Sequence, residues 1–571
     1  MRFVALATDY DGTLASHGVV YTHTIEALRR LRKSGRKVIL VTGRTLQSLR
    51  GVFPCLTEFD SIVAENGATL YNPSNNAERL LAAAPSEALL SLLEQRASVP
   101  LEVGRAIIAA PECDKEIVLN AIQELGLELQ IIFNKGSLMI LPSGVNKATG
   151  LETALKTLGL SLRNVVGVGD AENDHAFLAA CEFSVAVADA LPTLKERVDF
   201  VTAGCNGFGV TELIDEIVGN DLSTHKRRLG KSILVGGKRD GQDVCVPACG
   251  VNLIAGSSGG GKSTLTTAFL ESLFGSGYQF CAVDAEGDYE LFPDATVLGN
   301  SKQVPTPGEV VKALGPPTQS AVVNLLGVEL ADRPNLLETL LNRLQECRNK
   351  IGRPHCLIVD EAHHFLEGGV PPAALHLEAY CDDPASGVTL ITVKPDRLPA
   401  AVLAKVLFLV ITGDDPLADL QSFCSHAGVP CPTVDSLRLE ADQVLGWFVG
   451  AGTPFAFTTA STETVRVRHR RKYAEGELAP DRSFYFRGPE GKLNLRAHNL
   501  VSFMTIMSGI DDETWLFHLR KGDYSQWFEN EIKDEELINE ARAIETMQDL
   551  SPADSRKKLQ ALISERYTLP A

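Results

Sequence analysis

Two carboxylates stand at i and i+2 in Asp9-Tyr10-Asp11-Gly12-Thr13, directly after the apolar run 3–7. Acids at the end of a buried strand repel each other unless a cation or a shared proton offsets them. A second acidic strand end, Gly169-Asp170-Ala171-Glu172-Asn173-Asp174, follows the apolar run 165–168. Between these two stretches stand Thr42, after the apolar run 38–41, and Lys147, in Asn146-Lys147 at the opening of a helix. Two acidic strand ends flanking a threonine and a lysine suggest a metal-assisted phosphoryl site, since hard oxygen donors suit Mg²⁺. Asn66, in Glu65-Asn66-Gly67 after the run 61–64, reaches the same rim as a turn former or a substrate contact.

A different chemistry is written at Gly256-Ser257-Ser258-Gly259-Gly260-Gly261-Lys262-Ser263-Thr264. A strand pattern at 251–255 precedes it and a helix pattern follows, the context in which G-x-x-x-x-G-K-S forms a phosphate-binding P-loop. Glycines let backbone N–H groups turn toward phosphate oxygens, and the helix N-terminus adds its positive end. Lys262 is expected to reach the β- and γ-phosphates of ATP, and Ser263 to ligate Mg²⁺. The run 356–359 then ends in Asp360-Glu361-Ala362-His363-His364. Asp360 would hold the magnesium shell, and Glu361 would polarise the attacking water. His363 and His364 have no Cys/His partner set for zinc and read as a satisfied polar pair.

These residues need particular elements to bring them together. Apolar residues at helical spacing over 24–33, closed by Gly35, sit between the runs 3–7 and 38–41. Strand, helix, strand in this order is a right-handed parallel unit, which puts Thr42 on the rim of Asp9. From about 75 to 140 the pattern changes to short helices and alternating strands, an insert over the sheet edge. A closing helix at 211–218 ends the first domain, expected at 1–218. A polar, basic linker at 219–230 precedes a hairpin around 233–235 and 244–246 and a second α/β domain at 231–472. That domain has further strand ends at Asp284 and, after 390–393, at Lys394. Arg466, Arg468, Arg470, Arg471 and Lys472 mark its end as an edge strand or a phosphate-contacting patch. Residues 473–571 read as a small helical module with Trp515 and Trp527 in its core or on a docking face.

Composition bounds this reading. At 571 residues the chain calls for three or four domains of about 150 residues. Hydrophobic content of 44% and charged content of 22% are those of a globular protein. No apolar run reaches the length that crosses a bilayer, and no signal peptide precedes the first strand, so a cytoplasmic protein without a membrane partner is expected. The twelve cysteines lack metal-type pairing and read as small buried side chains. A net charge of −18 does not support a nucleic-acid coat, although a local basic groove stays open.

The first 210 or so residues resemble the haloacid dehalogenase (HAD) superfamily with a C2-type cap, the subclass of Cof-like and sugar phosphatases. The motifs that carry this are Asp9-x-Asp11-Gly12-Thr13, Thr42-Gly43-Arg44, Lys147 and Gly169-Asp170-x-x-Asn173-Asp174. The resemblance implies a Rossmann-like core with an α+β cap and a Mg²⁺-dependent phosphomonoesterase. Asp9 would be the nucleophile and Asp11 the general acid and base. The ligands implied for Mg²⁺ are Asp9, the backbone carbonyl of Asp11, and Asp170, with Asn173 and Asp174 orienting them. Thr42 and Lys147 would hold phosphoryl oxygens. The second domain is similar to the HerA/FtsK/VirB4 group of P-loop ATPases. That similarity makes Lys394 a candidate sensor of the γ-phosphate and implies a homo-oligomer with a neighbour's arginine, for which Arg333 and Arg397 both qualify.

The leading expectation is therefore an α/β multidomain enzyme: a phosphatase joined to an ATPase, with a phosphorylated small molecule or a phosphorylated end as substrate. Two alternatives stay open. One is an ATP-driven nucleic-acid motor or end-processing protein, and the other a nucleotide-gated regulatory or assembly protein.

Overall fold

Short runs of β-branched and apolar residues become strands covered on both faces, and these strands build two large sheets. In a computed structural model of the chain, residues 1–134, 136–225, 232–257, 260–300, 302–366, 372–383, 386–413, 415–433, 439–440, 442–462, 478, 482–532, 534–547 and 550–567 are described. Ser258 and Gly259 of the glycine-rich loop, and the basic run from Arg466 to Lys472, lie outside them.

The first sheet uses β1 (Ala5–Thr8), β2 (Lys37–Val41), β3 (Ser61–Ala64), β4 (Thr69–Asn72) and β5 (Ala77–Leu80). It is completed by β10 (Val165–Gly169), β11 (Phe183–Ala186) and β12 (Phe200–Val201), in the order β12-β11-β10-β1-β2-β3-β4-β5. From β12 to β3 every neighbour is parallel. All residues of β1, β3, β10 and β11 are buried, as expected of parallel strands sandwiched between helices. Parallel pairing puts the residues after β1, β2, β3 and β10 on one rim, where ligands of open α/β sheets bind. These are Asp9, Thr42, Glu65 and Asp170.

The strands β6 (Glu102–Val103), β7 (Ile108–Pro111), β8 (Leu129–Asn134) and β9 (Ser137–Pro142) form a separate antiparallel sheet in the order β6-β7-β9-β8. Helices Glu87–Arg96 and Lys115–Glu124 cover it, burying Leu89, Leu93, Val118 and Ala121 against Ile108, Leu138 and Ile140. This cap has its own core because its strands alternate between an apolar face and a polar one. Helix α1 (Lys147–Leu158) then leads back into the first sheet.

The second sheet has eleven strands. Its parallel part comprises β15 (Gly250–Gly256), β16 (Phe280–Asp284), β17 (Ala295–Leu298), β18 (Ser320–Asn324), β19 (Cys356–Val359), β20 (Gly387–Thr392) and β21 (Val406–Thr412). An antiparallel edge is added by β13 (Ser232–Gly237), β14 (Asp243–Pro247), β22 (Gln443–Phe448) and β23 (Phe455–Thr459). The order is β14-β13-β23-β22-β21-β15-β20-β19-β16-β18-β17. Helix α2 (Lys262–Gly275) follows β15.

Residues Ala285–Pro293 and Glu463–Ala571 group as a second compact unit. Among its described residues a two-stranded hairpin, Phe484–Phe486 with Leu495–Ala497, accompanies helices Leu500–Gly509, Asp512–Lys521, Glu535–Thr546 and Pro552–Tyr567. Phe503, Trp515, Tyr524 and Trp527 pack into its core, so these four rings fill an interior.

The twelve cysteines are all free. Cys55, Cys113, Cys205 and Cys431 are exposed, which corrects the expectation of small buried side chains: Cys55 and Cys205 stand just before helices and Cys113 in a single 3₁₀ turn, outside the apolar cores. Among the described residues no helix is long and apolar enough to cross a membrane.

Candidate active site

The first rim gathers carboxylates around one lysine. Asp9, Asp170 and Asp174 are all buried, and each offers a carboxylate oxygen within 4.8 Å of the others. Lys147, at the first position of α1, donates to Asp9 Oδ1 at 2.5 Å and to Asp174 Oδ1 at 2.6 Å. Asn146 caps that helix by accepting from the N–H groups of Ala148 and Thr149, which fixes where α1 begins and so where Lys147 points.

Asp174 Oδ2 accepts from the backbone N–H of Asp170 and Ala171 at 2.9 and 3.0 Å, and folds the loop after β10 over itself. Gly169 is required there, since a Cβ would lie 2.6 Å from Asp174 Oδ2. The Thr13 hydroxyl donates to Asp170 Oδ1 at 3.0 Å, a role that sequence reasoning had not assigned.

The electrostatics follow from three acids clustered beside one cation that pairs with two of them. Burial, then Asp174 and Asp170, push the Asp9 carboxyl up to about 8, with Lys147 pulling the other way. Burial alone would lower Lys147, but Asp174 and Asp9 outweigh it and raise it. Asp9 is raised first by burial and then by its acidic neighbours, and Lys147 by Asp174 and Asp9, so both favour their protonated forms beside an excess of carboxylate over cation. A divalent cation would offset the same excess, and three hard oxygen donors fit Mg²⁺. Asp174 reaches this group because the loop after β10 turns back within four residues, and its two oxygens hold Lys147 and the backbone N–H groups of Asp170 and Ala171.

Asp11 points elsewhere. Its carboxylate takes a bidentate pair from Arg44, Nε to Oδ2 at 2.6 Å and Nη2 to Oδ1 at 2.7 Å. Arg44 belongs to the Thr42-Gly43-Arg44 motif without a role of its own in the sequence reading; a cation three residues beyond a strand end, opposite a second acid, is the signal that could have singled it out. Thr42 is buried, and its hydroxyl accepts from the Arg44 N–H at 3.1 Å. Asn66 is fully buried; it accepts from Asn173 Nδ2 at 3.1 Å and donates to Met139 Sδ in the cap. Asn66 thus links the Asp170 loop to the cap.

Asp9, Asp11, Arg44 and Asn173 line a cavity of about 200 Å³. Glu102, Ile107, Ala109 and Met139 of the cap close its far side.

The second rim carries the glycine-rich loop. Gly256 (φ +140°) has no room for a side chain, since a Cβ would lie 1.9 Å from Thr412 O. Lys262 opens α2 and donates to the carbonyls of Gly256 and Ser257 at 2.8 and 3.1 Å. Ser263 and Thr264 follow it in the helix, both half-buried, after Gly260 and Gly261 in the loop.

Asp360 and Glu361 follow β19, and β20 stands between β19 and β15. Asp360 Oδ1 accepts from the Glu361 N–H at 2.9 Å, and Glu361 takes a left-handed φ of +45°. His363 Nδ1 lies 3.3 Å from Glu361 Oε2 and 3.2 Å from Thr392 Oγ1 at the end of β20. Lys394 is exposed just beyond, and both it and Lys262 lower the Asp419 carboxyl, which burial and Asp415 raise. Arg333 is buried and donates to Leu325 O and Val328 O; Arg397 is exposed.

A family model described as haloacid dehalogenase-like hydrolase matches residues 6–103 and 95–214. The phosphoglycolate phosphatase of Methanothermobacter thermautotrophicus is 29% identical over 224 residues, covering 38% of this chain and 99% of that protein. Phosphoglycolate phosphatase 2 of Saccharolobus solfataricus is 27% identical over 224 residues, covering 38% and 94%. The phosphoglycolate phosphatase of Sulfolobus acidocaldarius is 30% identical over 227 residues, covering 38% and 98%. Matches of this extent span the first sheet, its cap and the whole acidic rim, and through them the chain belongs to the haloacid dehalogenase-like hydrolases.

Proposed function

We propose that the N-terminal domain hydrolyses small phosphomonoesters through an aspartyl-phosphate on Asp9. The observation that carries this is the position of the Asp9 carboxylate: it ends β1, is held by Lys147, and lines a capped cavity of about 200 Å³. Asp9 attacks phosphorus, and the bond to the leaving oxygen breaks. Asp11, in the same cavity, gives that oxygen a proton and later takes one from the water that releases inorganic phosphate and restores Asp9. To do so it must part from Arg44, which can turn to the incoming phosphoryl oxygens. Lys147 holds Asp9 and offsets charge that develops on the phosphoryl group. Mg²⁺, held by Asp9, Asp170 and Asp174, would neutralise charge on the transferring group.

The cavity's size and its cap favour a phosphorylated small molecule over a phosphorylated end. The relatives named as phosphoglycolate phosphatases support the same substrate class. The test is a phosphatase screen over phosphoglycolate, glycerol phosphate, hexose phosphates, nucleotides and phosphorylated DNA ends, with wild type and Asp9→Asn. A small substrate lost by at least about three orders of magnitude in the variant is expected. Activity retained by Asp9→Asn removes the assignment.

We infer that the second sheet binds and hydrolyses ATP. The loop that wraps Lys262 with its own carbonyls supports this, as does the Asp360–Glu361 pair one strand away. Lys262 would exchange those carbonyls for phosphate oxygens, and Glu361 would take the proton of the attacking water. Lys262→Ala should abolish ATP binding while leaving the phosphatase intact; unchanged nucleotide affinity refutes this reading.

A further inference from the structure

Glu65 belongs to neither catalytic set, yet it is a carboxylate 1% exposed beside the phosphate cavity. It follows β3, and its own N–H donates to Arg44 O at 2.9 Å while the next N–H, of Asn66, donates to Thr42 O at 3.0 Å. Glu65 and Asn66 both take φ of +52°, a conformation that costs free energy outside glycine and persists only where surroundings impose it.

What the strained turn achieves is to aim the Glu65 carboxylate at the cap. Oε1 accepts from the backbone N–H of Arg105 at 3.1 Å, and Oε2 from that of Ala106 at 2.8 Å. Gly104 sits so close that a Cβ there would lie 2.6 Å from Oε2. This contact loop leaves β6 and enters β7, and its neighbours Glu102, Ile107 and Ala109 form the cap side of the cavity.

We propose that Glu65 is a latch between the Thr42–Arg44 loop and the cap, and that by seating residues 104–107 it limits the size of the substrate. The proposal rests on the phosphatase reading for its catalytic consequence, but not for the latch itself. A buried carboxylate is costly unless donors replace its water. Here two peptide N–H groups do so, and they are in place only while the cap is seated. The Arg105 side chain pairs with Glu78 at 2.7 Å on the surface, and Met139 meets Asn66; of these three contacts to the cap, the Glu65 contact alone is both charged and buried. In Glu65→Gln one acceptor becomes an N–H group facing a peptide N–H, which breaks the latch with little change in volume. Gly104→Ala breaks it from the other side with Glu65 intact.

The experiment compares wild type, Glu65→Gln and Gly104→Ala by amide hydrogen exchange and by turnover of p-nitrophenyl phosphate against a phosphotyrosine hexapeptide. Exchange at Arg105 and Ala106 should quicken at least about tenfold in both variants, as loss of a bond to a charged acceptor implies. The ratio of kcat/KM for the small ester over the peptide should fall by about tenfold or more, mainly through KM for the small ester. Unchanged protection at 105 and 106 overturns the latch. Faster exchange with an unchanged ratio overturns its role in selectivity. Were wild type to turn over neither ester, the phosphatase reading would fail, and exchange would still decide the latch.

Discussion

His355 Nε2 donates to Asn164 Oδ1 at 3.0 Å across 191 residues of sequence. The direction is fixed by the other partners: Asn164 Nδ2 donates to the carbonyls of Arg2 and Gly352, and His355 Nδ1 accepts from the Gln279 N–H at 2.8 Å. His355 is therefore neutral with its hydrogen on Nε2. Asn164 immediately precedes β10, which leads to Asp170, and His355 immediately precedes β19, which leads to Asp360. Beside them Glu182 is gripped by Arg2, Arg163 and Tyr278. The bases of the strands that carry both candidate sites are thus joined by a buried polar contact.

This joint should make the protein sensitive to acid. Burial, reinforced by Arg353, Arg348, Arg163 and Arg2, holds His355 well below its ordinary 6.5. The unfolded chain takes up a proton below pH 6.5 that the folded chain refuses, so the stabilisation from neutral His355 is complete above that pH and is lost as pH falls. The slope amounts to at most about 1.4 kcal/mol per pH unit for one proton. Denaturant melts of wild type and His355→Asn between pH 7.5 and 5 should show a shallower loss in the variant; parallel curves would refute the assignment.

Lys147→Met removes the cation shared by Asp9 and Asp174. Asp9, already pushed up to about 8 with Lys147 pulling it down, should rise further and hold its proton through neutral pH. Phosphatase kcat should drop roughly a hundredfold or more. ATP hydrolysis should be unaffected, and steady-state assays of both activities on one preparation check the contrast.

The parts of the site that the sequence made readable are those where chemistry coincides with a strand end. Asp9, Thr42 and Asp170 each follow an apolar run, so parallel pairing predicts their common rim without side-chain detail. The same logic picked out Lys262 and Asp360. Pairings across the fold were not readable: Asp11 with Arg44 depends on how the loops after β1 and β2 turn, and Asn66 with Met139 and Glu65 with the amides of Arg105 and Ala106 depend on where the cap comes to rest. Glu65-Asn66-Gly67 looked like a turn because Asn-Gly favours left-handed backbone, and the buried role of its acid left no periodic trace. The four exposed cysteines were misjudged because residue type predicts burial only on average.

Gly150 offers a test of packing at a distance from substrate. It lies one turn beyond Lys147 on α1, and a Cβ there would come within 2.5 Å of Gly67 Cα and Val63 Cγ1. Gly150→Ala should push the start of α1 off the 65–67 turn, costing about 1–3 kcal/mol through overpacking. Because Lys147 moves with the helix, kcat should fall although Gly150 touches no reacting atom. Thermal melts and kinetics together check this, and a stable variant with full activity would contradict it.

Mg²⁺ binding can be read without any activity. Asp9, Asp170 and Asp174 converge only in the folded chain, so a cation held there binds the native state and not the unfolded one. At a free concentration one hundred times Kd this stabilises the protein by about 2.7 kcal/mol. A rise in melting temperature on titration with MgCl₂, run without nucleotide so that the second sheet does not contribute, is the expected result. Asp170→Asn should abolish most of that rise, because its amide oxygen is a weaker ligand and Thr13 still occupies the side chain. Asp360→Asn should leave it intact. A rise that survives Asp170→Asn but not Asp360→Asn would place the cation at the second rim and leave the acidic cluster balanced by protons.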